Sequence, residues 1–278
     1  MNIVPTLRKR RAQAVASVAV LALALTACGG SGSSGSDDKA KAAGITLVKP
    51  GKLTICTHLP YKPFQYKDGT KVVGFDVDLL DLVAQDLGVQ YDVVNIEWAQ
   101  VTSGAAFQAK KCDMGMGAMT ITPARQAAIS ITDPYMDATQ VLLAKKDSGI
   151  KSLADLRGKK LGAQADTTGK TYADKNAQAN GYTVIPFNDL ALQENNVKSG
   201  RVDAAINDNG VLYDYVKDNQ DMAVVAEFNT GEQYGFGALK DGSGPKLVAK
   251  FNELLKKAKS DGKYAEIYKK WFGVEPKK

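Results

Sequence analysis

Arg125 stands three residues after Thr122-Pro123, a hydroxyl followed by proline that reads as a helix N-cap with proline at the first helical position. A cation in a first helical turn opposes the helix dipole, so it needs a partner. That partner is either a structural carboxylate or an anion shared between the guanidinium and free helix N–H groups. Asp166-Thr167-Thr168-Gly169 joins an apolar run to a helical pattern, and Thr167 or Thr168 can cap that helix. Asp208 follows the apolar stretch 202–207, where a carboxylate can hold an ammonium or stay a solvated loop residue. Tyr61 lies in a loop stiffened by Pro60 and Pro63, which either presents its ring to a cleft or packs it on the core.

These positions need elements to hold them. Short β runs are expected at 52–57, 90–96, 112–119 and 139–145, then at 160–164, 183–187, 202–207, 223–225 and 233–239. Helical spacing is expected over 77–87, with Gly88 as its stop, and over 99–110. Further helices fall at 153–157, 169–180, 191–199, 211–219, 245–259 and 263–271. Strands alternating with helices call for an α/β fold with mostly parallel sheets, and two such series suggest two lobes with a cleft between them. In such sheets ligands sit beyond the carboxyl ends of the strands, which is where Arg125, Thr168 and Asp208 fall. An arginine with a helix N-terminus suits an α-carboxylate, and a carboxylate suits an α-ammonium. A free α-amino acid needs both, because neither of its charges is buried unpaired at low cost.

The N-terminus reads as an address rather than as fold. Arg8, Lys9, Arg10 and Arg11 precede a short apolar run, 12–27, that ends in Leu25-Thr26-Ala27-Cys28. A charged start, a short apolar region and small residues before a cut mark a secretory signal, 1–27. A cysteine directly after the cut resembles the bacterial lipobox, which implies acylation of Cys28. The segment 28–48 begins GGSGSSGSDD after Cys28 and reads as a flexible tether. The whole chain carries a net charge of +6, and losing the four basic residues of the signal leaves +2. That balance gives no basic footprint for nucleic acid. Cys56 and Cys112 remain, an even pair that in an exported protein favours a disulfide over two buried thiols. If their strands are parallel neighbours, the pair sits near the ~7 Å limit of Cα separation for a bridge. His58 is the only histidine, and with two cysteines it falls short of a structural zinc set, so no metal and no cofactor are expected.

Six segments together carry a family resemblance: ICTHLPYKPFQY, VVGFDVDLLDLVAQDLGV, CDMGMGAMTITPAR with ITDPY, GKKLGAQADTTGKTY, SGRVDAAINDN and DGKYAEIYKKWFG. They resemble the extracellular solute-binding proteins of family 3, the polar amino-acid binders of ABC importers, with glutamine-binding and lysine/arginine/ornithine-binding members most alike. The resemblance implies a two-lobe, hinged Venus-flytrap fold, with lobe 1 formed by 49–140 and 234–278 and lobe 2 by 141–233. It places the ligand carboxylate on Arg125, Thr120 and Thr168, and the ammonium on Asp208 and the carbonyl of Ala118. It makes Tyr61, His58 and Trp98 the side-chain pocket. Many relatives have aspartate where His58 stands, and a histidine there points away from a lysine- or arginine-selective pocket toward a polar amino acid such as glutamine or glutamate. Asp166 replaces a glycine common before the threonine pair.

The expected protein is a monomeric, extracytoplasmic lipoprotein. It touches the membrane only through the lipid on Cys28, and its partners are a free amino acid and an ABC transporter permease. It is expected not to be an enzyme, because the matched loops show no general acid–base pair and no activated nucleophile. A dehydratase of a cyclic amino acid on the same scaffold, and a ligand-sensing module, are the competing functions that the fold class leaves open.

Overall fold

The computed structural model describes residues 38–276; the signal, Cys28 and the start of the tether lie outside them. A short helix α1 (Asp38–Ala42) leads into β1 (Lys52–Thr57), the hairpin β2 (Tyr66–Asp68) and β3 (Lys71–Val73), α2 (Phe75–Leu87) and β4 (Gln90–Asn95). Next come α3 (Trp98–Thr102), α4 (Ala105–Gln108), β5 (Met114–Gly115), α5 (Pro123–Ala128) and β6 (Ser130–Ile131). A long strand β7 (Met136–Lys145) and a 3₁₀ turn (Leu153–Leu156) open the second series. It continues through β8 (Lys160–Gln164), α6 (Thr168–Asn180), β9 (Thr183–Phe187), α7 (Leu190–Lys198), β10 (Ala204–Asp208) and α8 (Asn209–Asp218). The chain returns along β11 (Met222–Tyr234) to β12 (Gly237–Ala238), and ends in α9 (Gly244–Ser260) and α10 (Lys263–Phe272).

Two five-stranded sheets result, one in each lobe, ordered β4-β1-β5-β12-β6 and β11-β7-β10-β8-β9. Each is mixed rather than mostly parallel. β1 pairs in parallel with β4 and β5, and β8 with β9 and β10. The returning strands add antiparallel pairs: β12 against β5 and β6, and β7 against β10 and β11. β7 and β11 run side by side from Met136↔Tyr234 to Lys145↔Met222, so the two crossings between lobes are bonded to each other.

Helices pack on the sheets because the central strands bury side chains on two sides. In β1 every residue after Lys52 is buried, and β10 is buried throughout. α9 shows one apolar face, with Leu247, Phe251, Leu255 and Ala258 buried, as helical spacing requires. The strands expected at 223–225 and 233–239 are instead the long β11 and the two-residue β12, and two further expectations shift. The 99–110 helix is broken in two by Gly104, whose φ of 79° is open to glycine and strained for other residues. The 112–119 strand shrinks to Met114–Gly115, because Gly117 and Ala118 turn to positive φ (151° and 46°) and leave the ladder.

Cys112 lies before the shortened strand rather than on it. The structure joins Cys56 to Cys112 with Cα atoms 5.6 Å apart, closer than a flat parallel offset allows. Asp113 holds the approach: its carboxylate accepts the N–H groups of Val48 and Thr54, and its own N–H donates to the Thr54 carbonyl. The bridge closes a loop with a sequence separation of 56. Chain-entropy arguments then give about 4 kcal/mol, and observed values run roughly 2–4. Urea unfolding with and without reductant is expected to differ by that amount; equal midpoints would show that the bridge contributes nothing.

Candidate functional site

Between the two lobes lies a cleft with about 370 Å³ of space, lined by His58, Tyr61, Gln65, Trp98, Gly117, Ala118, Thr120, Arg125, Gln164, Thr167, Thr168 and Asp208. All eight pocket residues expected from the sequence lie on it. Lobe 1 contributes the loop after β1, the turn after β5 and the start of α5. Lobe 2 contributes the end of β8, the start of α6 and the end of β10.

Arg125 enters the cleft because Thr122 caps α5, its hydroxyl accepting the Arg125 N–H at 3.2 Å. The guanidinium donates to two carbonyls, Thr120 O at 2.9 Å in one lobe and Asp166 O at 3.0 Å in the other. It lies over the Trp98 ring, 5.7 Å from the centroid. Trp98 reaches that place because Gly117 has no Cβ; one built there would stand 2.6 Å from the ring. Burial pulls the Arg125 pKa down, against the attraction of Asp208 and Glu232. No carboxylate of the described residues comes within ion-pair distance of the guanidinium, so its remaining donors suit an incoming anion.

Opposite stands Asp208, the last residue of β10. It is the N-cap position of α8, yet its side chain makes no capping bond and stays in the cleft. It accepts Tyr61 Oη–H at 3.0 Å, Tyr234 Oη–H at 2.7 Å and Gln140 Nε2–H at 2.6 Å. Burial pushes its pKa up to about 6, with Glu232 adding to the rise and the three donors opposing it. Tyr61 is held above the ordinary phenol range by burial and by Asp208. Tyr61 therefore spans the lobes, its single hydroxyl hydrogen shared between Asp208 Oδ2 and Asn207 Oδ1, the latter at 2.8 Å.

Ala118 offers its carbonyl from a left-handed backbone, φ 46°. Asp76 holds that turn, accepting the N–H groups of Gly117 and Ala118 at 3.1 and 2.8 Å and Tyr135 Oη–H at 2.7 Å. Asp76 is fully buried, and burial lifts its pKa to about 7 despite those donors. Asp166 also sits at positive φ, 59°, which explains why glycine suits this place. Aspartate is among the few residues that tolerate it. Its carbonyl faces Arg125, while the residue is exposed at the surface.

Thr167, not Thr168, caps α6, its hydroxyl accepting Lys170 N–H. Thr120 and Thr168 face each other across the lobes with hydroxyl oxygens 3.2 Å apart. Sequence reasoning missed Gln65, Gln164, Gln140 and Glu232. Gln164 ends β8, so the strand-end rule reaches it, and Gln140 is a polar residue inside an apolar strand. Glu232 lies on the returning antiparallel strand, where that rule points nowhere. His58 Nδ1 and Gln65 Oε1 are buried in the cleft wall without a partner among the described residues.

Such a fold and cleft define a two-lobe solute-binding protein. Residues 53–274 match the family model of bacterial extracellular solute-binding proteins, family 3, and the chain belongs to that family. The chain is 33% identical to the arginine-binding extracellular protein ArtP of Bacillus subtilis (strain 168), over 81% of this chain and 87% of that protein. It is 34% identical to the ABC transporter glutamine-binding protein GlnH of the same organism, over 74% and 75%. The solved structure of an ancestral arginine-binding protein bound to arginine superposes with a TM-score of 0.74 at 39% identity, covering 80% of this chain and 99% of that one.

Proposed function

We propose that this protein captures a free polar amino acid outside the cytoplasm and delivers it to an ABC importer. The observation that carries the reading is the opposition of Arg125 and Asp208 across one small cleft, with the Ala118 carbonyl beside them. The ligand carboxylate sits on Arg125 and on N–H groups at the start of α6; the ammonium sits on Asp208 and Ala118. The named relatives that bind arginine and glutamine support the amino-acid class.

The side chain then meets His58, Gln65, Trp98 and Gln164. Two buried polar atoms lack partners among the described residues: Gln65 Oε1 suits a side chain that donates a hydrogen bond, and His58 Nδ1 can accept or donate one by its tautomer. Asp208 is the only carboxylate among the lining residues and Arg125 the only permanent cation. Both are occupied by the ligand's backbone charges, so a neutral amide is matched best and glutamine is the first candidate. Glutamate would bring a second anion to a wall with no further cation.

The protein acts by binding and closure rather than by a chemical step. Ligand bonds formed with both lobes favour the closed form by the ligand's preference for it. In this reading Cys28 anchors the protein through lipid and the permease of an ABC importer is its partner; a single copy suffices, since the cleft is lined by one chain. Calorimetric titration of residues 39–278 with glutamine, arginine, cystine and glutamate tests the reading. Saturable binding of one of them supports the class, and glutamine strongest supports the substrate. Arginine strongest would overturn the substrate, and no binding by any amino acid, after unfolding and refolding to strip carried ligand, would overturn the class.

A further inference from the structure

Glu232 is absent from the cleft lining, yet it stands directly behind it. One carboxylate oxygen, Oε2, receives Thr120 Oγ1 at 3.2 Å, Thr168 Oγ1 at 3.0 Å and Gln140 Nε2 at 3.0 Å. Thr120 belongs to lobe 1 and Thr168 to lobe 2, and Glu232 sits on the strand that crosses between them. The same Gln140 amide gives its other hydrogen to Asp208 Oδ1 at 2.6 Å, so it separates two carboxylates. Gln140 fits there because residue 169 is glycine: a Cβ at Gly169 would stand 2.6 Å from Gln140 Oε1.

Counting hydrogens decides what the threonines offer. Two hydroxyls own two hydrogens, and a carboxylate can only accept. Three contacts compete for those two: Thr120 with Glu232, Thr168 with Glu232, and Thr120 with Thr168. Every arrangement that fills two of the three contacts spends both hydrogens inside this triangle. Each hydroxyl held in this way meets a ligand as an acceptor. While that triangle holds, a ligand carboxylate meets the backbone N–H groups of these residues rather than their hydroxyl hydrogens.

We propose that Glu232 is a positioning residue of the cleft, one that takes up the Thr120 and Thr168 hydroxyl hydrogens and so commits those two oxygens to the ligand's ammonium. It also sets the balance of fixed charge, because Asp208 and Glu232 together outnumber Arg125 at this end of the cleft. The inference rests on the amino-acid reading above and names the part of the ligand these hydroxyls read. It departs from the expectation that they bind the carboxylate.

The experiment compares the wild type with Glu232→Gln, which keeps size and removes the charge. In the ligand-free protein, ¹³C-labelled aspartate carboxyl signals are followed against pH, with Asp208→Asn assigning the Asp208 signal. Loss of the Glu232 charge is expected to lower the Asp208 midpoint, since Glu232 is one of the groups that raise it. An unmoved midpoint overturns the proposal, and this arm needs no ligand. The second arm uses L-glutamine and its des-amino analogue 4-carbamoylbutyrate at pH 8. Glutamine is expected to weaken roughly tenfold to a hundredfold in Glu232→Gln, with the des-amino compound unchanged or tighter. Equal weakening of both overturns the proposal. If neither binds the wild type, the substrate reading fails while the first arm still decides. Should Glu232→Gln not fold, Glu232→Asp keeps the charge and shortens the reach: its midpoint should stay near the wild type while glutamine weakens, and a fallen midpoint with unchanged glutamine binding overturns the proposal.

Discussion

Replacing Arg125 with alanine is expected to abolish amino-acid binding, by roughly a thousandfold or more, while leaving the ligand-free protein as stable as the wild type within about 1 kcal/mol. The two halves of this expectation have one cause. The guanidinium is bonded to two carbonyls and stacked on Trp98, but no carboxylate of the described residues neutralises it in the empty cleft. Its desolvation is a standing cost that the ligand's carboxylate recovers, so the variant loses a charge-assisted pair in the complex and little before it. Lost packing against Trp98 and two lost carbonyl bonds offset the relief of the desolvated charge. Titration together with urea unfolding checks both halves. Retained affinity would refute the carboxylate role, and a collapse in stability would make Arg125 a structural residue instead.

Acid is expected to act in opposite directions on the empty protein and on its complex. Asp208 has its pKa raised by burial to about 6 from an ordinary 3.8. A raised carboxyl favours the folded state most when protonated, so its contribution is whole below about pH 4 and is lost as pH climbs through 6. A difference of about two pH units corresponds to roughly 3 kcal/mol. Asp76, raised to about 7, adds a loss of the same sign that extends further toward neutrality. Binding runs the other way, because the ligand's ammonium needs the Asp208 carboxylate. Affinity should be flat above pH 6 and fall by up to about tenfold per pH unit below it. Unfolding and titration between pH 4 and 8 check this, with Asp208→Asn as the control in which the Asp208 part of the stability slope disappears. Affinity independent of pH across that range would show that Asp208 does not carry the ammonium.

Which parts of this molecule were legible beforehand follows from where its signals are written. Strands and helices with clean periodicity were readable nearly to the residue, as β8 and β9 show, because burial on one or two faces imposes the pattern locally. The residues at strand ends, Arg125, Thr168 and Asp208, were readable because parallel strands aim their ends at one place. The shortened β5 was not, since the run CDMGMGA is apolar enough for a strand and only backbone angles at Gly117 and Ala118 end it. Mixed sheets were not, because the crossing strands β7 and β11 look like any β run until their partner is known. Gln140 and Glu232 lie on those crossings, far from each other and from Asp208 in sequence, and only the antiparallel ladder brings them together.

In the proposed binding mode the ammonium meets the Ala118 carbonyl, and the carboxylate meets backbone N–H groups and an arginine whose orientation two further carbonyls fix. Main-chain carbonyls are carried by every residue type and N–H groups by all but proline, so few substitutions at those positions delete them. Mutational drift has less purchase there than at His58, Gln65, Trp98 and Gln164, where each change of side chain rewrites a contact. A lineage built on this cleft can exchange one amino acid for another through a handful of substitutions while its grip on the shared zwitterion persists.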